Sequence, residues 1–200
     1  MGRPPRLSTD EILDRALPVF WRRGFAAATL EELETATGLG RQCLYNQFAD
    51  KQGLYRAAVR HYGDRFAGIM APLRAADADL GTLLRFFAAG RQRMRAAHCG
   101  GCLFARLAAE PLDDPEVAAI VAEGTRVVRA AITAIVAREI NAGRIRDPRP
   151  PEQLADFLWA LNAGTASLGF TDDGDAAAAN ALRLAVDLLT GNAIPADAAT

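Results

Sequence analysis

Lysine is almost missing from this chain: of its 23 basic residues, only Lys51 is not an arginine. In an alanine-rich sequence that bias reflects composition more than a particular chemistry. Histidine is nearly as scarce. His61 and His98 are the only two, no nucleophile–base pair is evident, and no glycine-rich phosphate loop is present. Enzymatic machinery is therefore not expected, and neither catalytic residues nor a cofactor are assigned. Three cysteines are too few for a disulfide framework, and an odd, small number suits free thiols in a reducing compartment. No apolar run approaches the roughly 20 residues that span a bilayer, and no apolar segment like a secretory signal's follows Met1 to Arg6. A cytoplasmic location is the expectation. Sustained two-residue alternation with Val, Ile or aromatic enrichment is lacking too, which leaves no convincing strand. Internal repeats are absent, and no metal-binding set stands out.

What is present is globular: 50% of the residues are apolar and 24% charged, over a length that supports a core without disulfide or metal staples. The net charge of −1 says little, but its distribution says more. Met1 to Tyr62 carries nine Lys or Arg against seven Asp or Glu, giving +2; Gly63 to Thr200 carries fourteen against seventeen, giving −3. A polyanionic partner would meet the N-terminal part.

Helical periodicity runs through nearly the whole chain, and the fold class expected is all-α with about nine helices. Ser8 or Thr9 can cap a first helix, which Pro18 should bend and Gly24 should stop. Thr29 with Glu32 forms a capping box for a short second helix ending at Gly38. A third runs from about Gly40 to Phe48, and Asp50 caps a fourth continuing to about Leu73. Five more patterns follow over residues 82–97, 102–110, 115–142, 151–170 and 175–191, separated by glycine- and proline-rich punctuation.

Two short helices joined at Gly38-Leu39 are what a helix-turn-helix requires. Leu30, Leu33, Ala36, Leu39, Leu44 and Phe48 can share a small core with Ile12, Ala16 and Phe20. The opposite face of the third helix stays polar, with Arg41, Gln42, Tyr45, Asn46 and Gln47. Arginine can bond guanine bidentately, Gln or Asn can bond adenine, and Tyr reaches phosphate. Lys51 could add a phosphate contact, and Arg3 and Arg6 could lie along the backbone or in the minor groove. The plainer alternative for this face is ordinary solvation.

At these residues a family resemblance emerges. Residues 12–62 resemble the DNA-binding domain of the tetracycline-repressor (TetR/AcrR) family. The matching elements are a helix ending in Arg-Gly-Phe, the cap at Thr29, Thr-Gly-Leu at the turn, and Leu-Tyr-x-x-Phe-x-x-Lys over Leu44, Tyr45, Phe48 and Lys51. More loosely, GCLFARLAAE followed by DDPEVAAIV is similar to one branch of the family. The resemblance implies a reading head over residues 1–50, a connecting helix over 51–73, and a helical ligand-binding and dimerisation domain over 74–200. It implies a repressor that binds a near-palindromic operator as a homodimer and is released by a small-molecule inducer, with Thr29 among the DNA-binding positions. Two positions depart from the family pattern. Gly40 stands where Ser or Thr is usual, so the recognition helix lacks a side-chain cap. Glu34 stands where a small residue is usual and must snorkel outward or find a partner. Together they keep open a second reading, a helical ligand-binding protein whose head has lost DNA affinity.

In the C-terminal half, the helix from Pro151 and the last helix are apolar on more than one face, so each must be buried on more than one side. A four-helix contact with a second copy is expected through Leu154, Phe157, Leu158, Leu161, Thr165, Leu182, Ala185, Val186 and Leu189. A ligand pocket is expected among Phe86, Phe87, Met94, Phe104, Leu107, Val121, Val128, Trp159 and Phe170, although apolar residues at helical spacing are more often plain core. Cys99-Gly-Gly-Cys102 after His98 has too few partners for a zinc site and no strand for a thioredoxin fold. A thiol switch at Cys99 and Cys102 is the remaining special reading, since Cys102 precedes a helix. Cys43 is expected to pack.

Overall fold

Ten helices and no strand make up the residues described by this computed structural model, which are 7–96, 98–99, 102–108, 111–165, 168 and 173–191. Helix α1 (Thr9–Ala27) starts on a capping box between Ser8 and Glu11. Pro18 is accommodated inside it. The only non-helical backbone falls at Gly24, where the helix kinks and continues to Ala27 instead of stopping. Helix α2 (Leu30–Thr37) has the expected box between Thr29 and Glu32, and Gly38 closes it in the left-handed conformation at φ 71°. Helix α3 (Arg41–Phe48) follows, and Asp50 caps α4 (Lys51–Ile69) by accepting the Gly53 N–H. The fourth helix does not reach Leu73 unbroken. Pro72 has no N–H to donate and its ring crowds the carbonyl four residues back, so the chain breaks at Met70 and resumes as α5 (Ala71–Arg74). That break accounts for ten helices where about nine are expected. Helices α6 (Leu80–Ala96), α7 (Leu103–Ala108), α8 (Pro115–Asn141), α9 (Pro151–Thr165) and α10 (Gly174–Thr190) complete the chain.

The buried apolar residues form one cluster running from Ile12 to Leu189. At its N-terminal end α1 packs on α2 and α4, and α3 packs on α4. Phe20, Leu33 and Leu44 are at most 1% exposed, whereas Leu30, Ala36, Leu39 and Phe48 are only partly covered. Full burial of such a side chain is worth about 1.5–3 kcal/mol, so a few residues hold the two short helices in place. At the other end the long α8 lies against α4, α7 and α9, and α10 closes on α9 and α6.

This packing moves the free face of α9 and α10 away from the one expected. Leu154, Leu158, Thr165, Leu182, Ala185 and Leu189 are buried inside the chain itself and have no surface left for a second copy. Leu161 and Val186 are half-buried. Phe157, at 47% exposure, does point outward, and it is joined by Leu184 at 56% and Leu188 at 59%. Both helices are apolar on more than one face, so their sequences do not reveal which side faces home.

Candidate functional site

The turn between α2 and α3 is held by Thr37, whose buried hydroxyl donates to the Leu33 carbonyl at 2.7 Å and accepts the Leu39 N–H at 3.3 Å. From there α3 presents Arg41, Gln42, Asn46 and Gln47 outward, with Tyr45 half-buried and Leu44 as its only buried residue. Several of these side chains are already ordered. The Gln42 amide donates to Asn46 Oδ1 at 2.9 Å, the Arg41 guanidinium carbon lies 5.2 Å from the Tyr45 ring centroid, and Gln47 donates to the Thr9 hydroxyl at 2.8 Å. Thr29 is exposed and engaged in its capping box. Lys51 turns inward: its ammonium donates to the Ala26 carbonyl at 3.4 Å and sits 4.7 Å from the Phe25 ring centroid. A phosphate contact there would have to break these. Arg3 and Arg6 lie outside the described residues. Cys43 is exposed, not packed, because the helix turns it to the same side as Gln42.

The two departures noted in the sequence answer each other. Gly40 offers no side-chain cap, and the Glu34 carboxylate, reaching across the turn from α2, accepts the N–H of Arg41 in its place. An anion at the positive end of the recognition helix is also favoured by the helix dipole. Glu34→Ala is therefore expected to destabilise the head by about 0.5–2 kcal/mol, the usual worth of a cap. Gly40→Ser should recover much of that loss in the Glu34→Ala background and add little to the parent chain. A double-mutant cycle on thermal unfolding measures the difference, and simple additivity would mean the two residues act independently.

A cavity of about 270 Å³ lies where α1, α4, α6, α8, α9 and the start of α10 meet. Of the residues expected there, Phe86, Phe87, Met94, Val128 and Trp159 line it. Leu107 and Val121 are buried elsewhere in the core, and Phe104 packs between Tyr62 and Phe66 at ring-centroid distances of 5.0 and 4.9 Å. Phe170 lies outside the described residues. Unexpected in the wall are Trp21, Tyr62, Phe66 and Ile69 from α1 and α4, and a polar group comprising Arg91, Arg93, Arg95, Asn162 and Asp175. The cavity thus touches the helix that carries the reading head.

Comparison with known proteins agrees with this geometry. A family model described as bacterial regulatory proteins, tetR family, matches residues 12–58, and one described as tetracyclin repressor-like, C-terminal domain, matches residues 80–185. The chain belongs to the TetR family. ComR, an HTH-type transcriptional repressor of Escherichia coli, is 44% identical over 66 residues, which cover 33% of this chain and only 31% of ComR. The HTH-type transcriptional repressor Rv1474c of Mycobacterium tuberculosis is 29% identical over 163 residues, covering 77% of this chain and 81% of its own. Among solved structures, a cysteine-substituted variant of the TetR-family regulator CifR, in complex with a 26-bp double-strand operator DNA, is 25% identical. It superposes with a TM-score of 0.68 over 90% of this chain and 98% of that one.

Of the Cys99–Cys102 pair in this TetR-family chain, Cys99 is buried and Cys102 half-buried. Burial raises the pKa of Cys99 and outweighs the arginines Arg22 and Arg106 nearby. Burial also raises that of Cys102, against the opposing pull of the Ala105 and Phe104 N–H groups and the Tyr62 hydroxyl. The helix start that should stabilise a thiolate at Cys102 is present, but desolvation wins. Burial thus opposes thiolate formation at both positions. No group of three metal-ligating side chains occurs among the described residues, and none of their helices is long and apolar enough to cross a membrane.

Two ion pairs join the head's supporting helix to the C-terminal bundle. Asp114 caps α8 by accepting the Glu116 and Val117 N–H groups, and it also accepts from Gln52 and, at 2.6 Å, from Arg56 on α4. Arg60 pairs with Glu116 one turn on. Burial pushes the Asp114 carboxyl up, but the bonds from Gln52, Arg56 and Val117 outweigh it and hold the pKa at about 2, below its ordinary 3.8. A pKa lowered in the folded state stabilises the protein above about pH 4, and this contribution fades as pH falls towards about 2. Asp114→Asn is expected to cost about 1–2 kcal/mol at neutral pH. In acid-titrated thermal unfolding, the gap to the parent chain should close by about pH 2; a gap independent of pH would assign the loss to packing.

Proposed function

We propose that this protein is a ligand-responsive transcriptional repressor of the cytoplasm that binds a near-palindromic operator as a homodimer and is released by a small-molecule inducer. The observation that carries this is the outward face of α3, where Arg41, Gln42, Asn46 and Gln47 stand exposed on a capped helix whose single buried residue is Leu44. Such side chains match base edges in the major groove, with Thr29 and Tyr45 placed for backbone contacts. That ComR and Rv1474c are repressors and that CifR binds operator DNA supports the same reading. Residues 1–50 form the head, 51–73 the connection, and 74–200 the ligand-binding and dimerisation part. The exposed side chains of α9 and α10 form the two-fold contact, which places two heads for two half-sites.

Release works as a population shift. Tyr62, Phe66 and Ile69 of α4 line the cavity, while Gln52 and Arg56 at the other end of α4 are tied to Asp114. A ligand that favours a displaced α4 changes the spacing of the heads, with a coupling of about 1–3 kcal/mol. The deciding experiment is fluorescence-anisotropy binding to the DNA upstream of the protein's own coding sequence, against an unrelated duplex, over a range of salt. The expected preference is about a thousandfold or more, weakening steeply with salt. Equal, weak binding to both duplexes, together with no enrichment from a random DNA pool, would reject the repressor reading.

A further inference from the structure

The cavity wall holds a buried cation without a full set of partners. Arg91 on α6 is 12% exposed, and its Nη1 is buried without a hydrogen-bond partner. Its nearest counter-charge is Asp175 Oδ1, 4.0 Å from Nε and too far to accept a hydrogen bond. Asp175 directs its other oxygen to Arg95, at 2.6 Å, and Oδ1 is likewise buried and unbonded. Arg91, Arg93 and Arg95 against Asp175 give this wall three positive charges and one negative. Burial lowers the Arg91 pKa and the attraction of Asp175 only partly offsets it, so the guanidinium is under-compensated where it stands. A buried donor left unpaired costs about 1–3 kcal/mol, and more when charged, so a ligand that supplies the missing acceptor removes a penalty that the free protein carries. Apart from Asn162, Thr165, Cys99 and Cys102, the rest of the wall is aromatic and aliphatic.

We infer that the cavity takes an organic anion with an apolar body, its carboxylate set against the Arg91 guanidinium. This rests on the proposed function only in treating the cavity as the inducer site. A guanidinium presents two parallel N–H donors that the two oxygens of a carboxylate accept together, whereas a hydroxyl offers one neutral oxygen and an ammonium is repelled. Selectivity among ligands of equal length therefore falls on charge, not on apolar contact. Gly90, one residue before Arg91, supplies an independent test of place: a Cβ there meets only the Met94 methyl at 3.8 Å, so a larger side chain at this position has room to enter the cavity.

The probes are octanoate, 1-octanol and octylamine, titrated calorimetrically into the full-length protein at neutral pH. Octanoate is expected to bind roughly tenfold or more tighter than octanol, with octylamine weakest. Arg91→Gln should abolish the preference for octanoate while leaving octanol binding within about twofold, and Arg91→Lys should retain part of it. Gly90→Leu should weaken octanoate and octanol alike. Equal affinity for octanoate and octanol, a preference that survives Arg91→Gln in a folded variant, or no binding of any probe would each overturn the inference. Should Arg91→Gln fail to fold, the comparison of the three probes on the parent chain and on Arg91→Lys decides. Operator binding is measured on the same samples without ligand, so a failed repressor reading is seen separately from a failed ligand assignment.

Discussion

Replacing Leu184 and Leu188 together by arginine is expected to leave the purified protein at the mass of one chain and to weaken operator binding by about a hundredfold or more. Both side chains are more than half exposed, so the substitution does not touch the chain's own core. They lie one helical turn apart on α10, and Phe157 extends the apolar surface onto the neighbouring α9. Helices of 15 and 17 residues are roughly 22 and 26 Å long, enough for a four-helix contact with a symmetry mate. In an isologous contact each substitution occurs twice, so two changes place four guanidinium groups in an apolar seam without counter-charges. Unlinked heads then lose the effective concentration that a second half-site provides. Light scattering on the eluted protein gives the mass, and circular dichroism verifies that the helices persist. A double variant still at twice the chain mass would place the two-fold contact elsewhere.

Gly53→Ala should have a comparable effect on operator binding through a different route. Gly53 sits in the first turn of α4, and a Cβ there would stand closer to the Phe48 carbonyl oxygen than real side-chain contacts allow, with the carbonyl carbon at 3.1 Å. Both are backbone atoms at the end of the recognition helix, so no side-chain rotation can relieve the clash. Overpacking costs about 1–3 kcal/mol where side chains can yield, and more is expected here. Either α3 moves off α4, which misplaces Arg41 and Asn46, or the head unfolds. Operator affinity should fall by about a hundredfold or more, with a lower melting temperature for the head. Unchanged melting and unchanged affinity would show that α4 does not approach Phe48 so closely.

The head was legible in the sequence because its signals are local. The cap at Ser8, Thr29 with Glu32, and Gly38 all act within four residues of themselves, and each does in the structure what its position implies. The bond from Glu34 to Arg41 spans seven residues and a turn, so two apparent defects show themselves as one device only in three dimensions. The cavity was half legible for a related reason. Phe86, Phe87 and Met94 announce burial, whereas Arg91 and Arg95 on the same helix look like solvated surface until α9 and α10 are laid beside them. The outward face of α9 and α10 was hidden because each is apolar on more than one face: with Leu182, Leu184, Leu188 and Leu189 all present, periodicity cannot choose a side.

The placement of Trp21 and Trp159 has a practical consequence. They are the only two tryptophans in the chain, one on α1 and one on α9, and both stand in the wall of the same cavity. The protein's tryptophan emission, excited where tyrosine does not absorb, therefore has no bystander contribution: every indole photon originates beside the candidate inducer site. A spectral change on adding a compound can be followed on unlabelled protein with no DNA in the cuvette. Comparing Trp21→Phe with Trp159→Phe would then show which end of the cavity the compound occupies, and whether the disturbance reaches the helix on which the reading head is built.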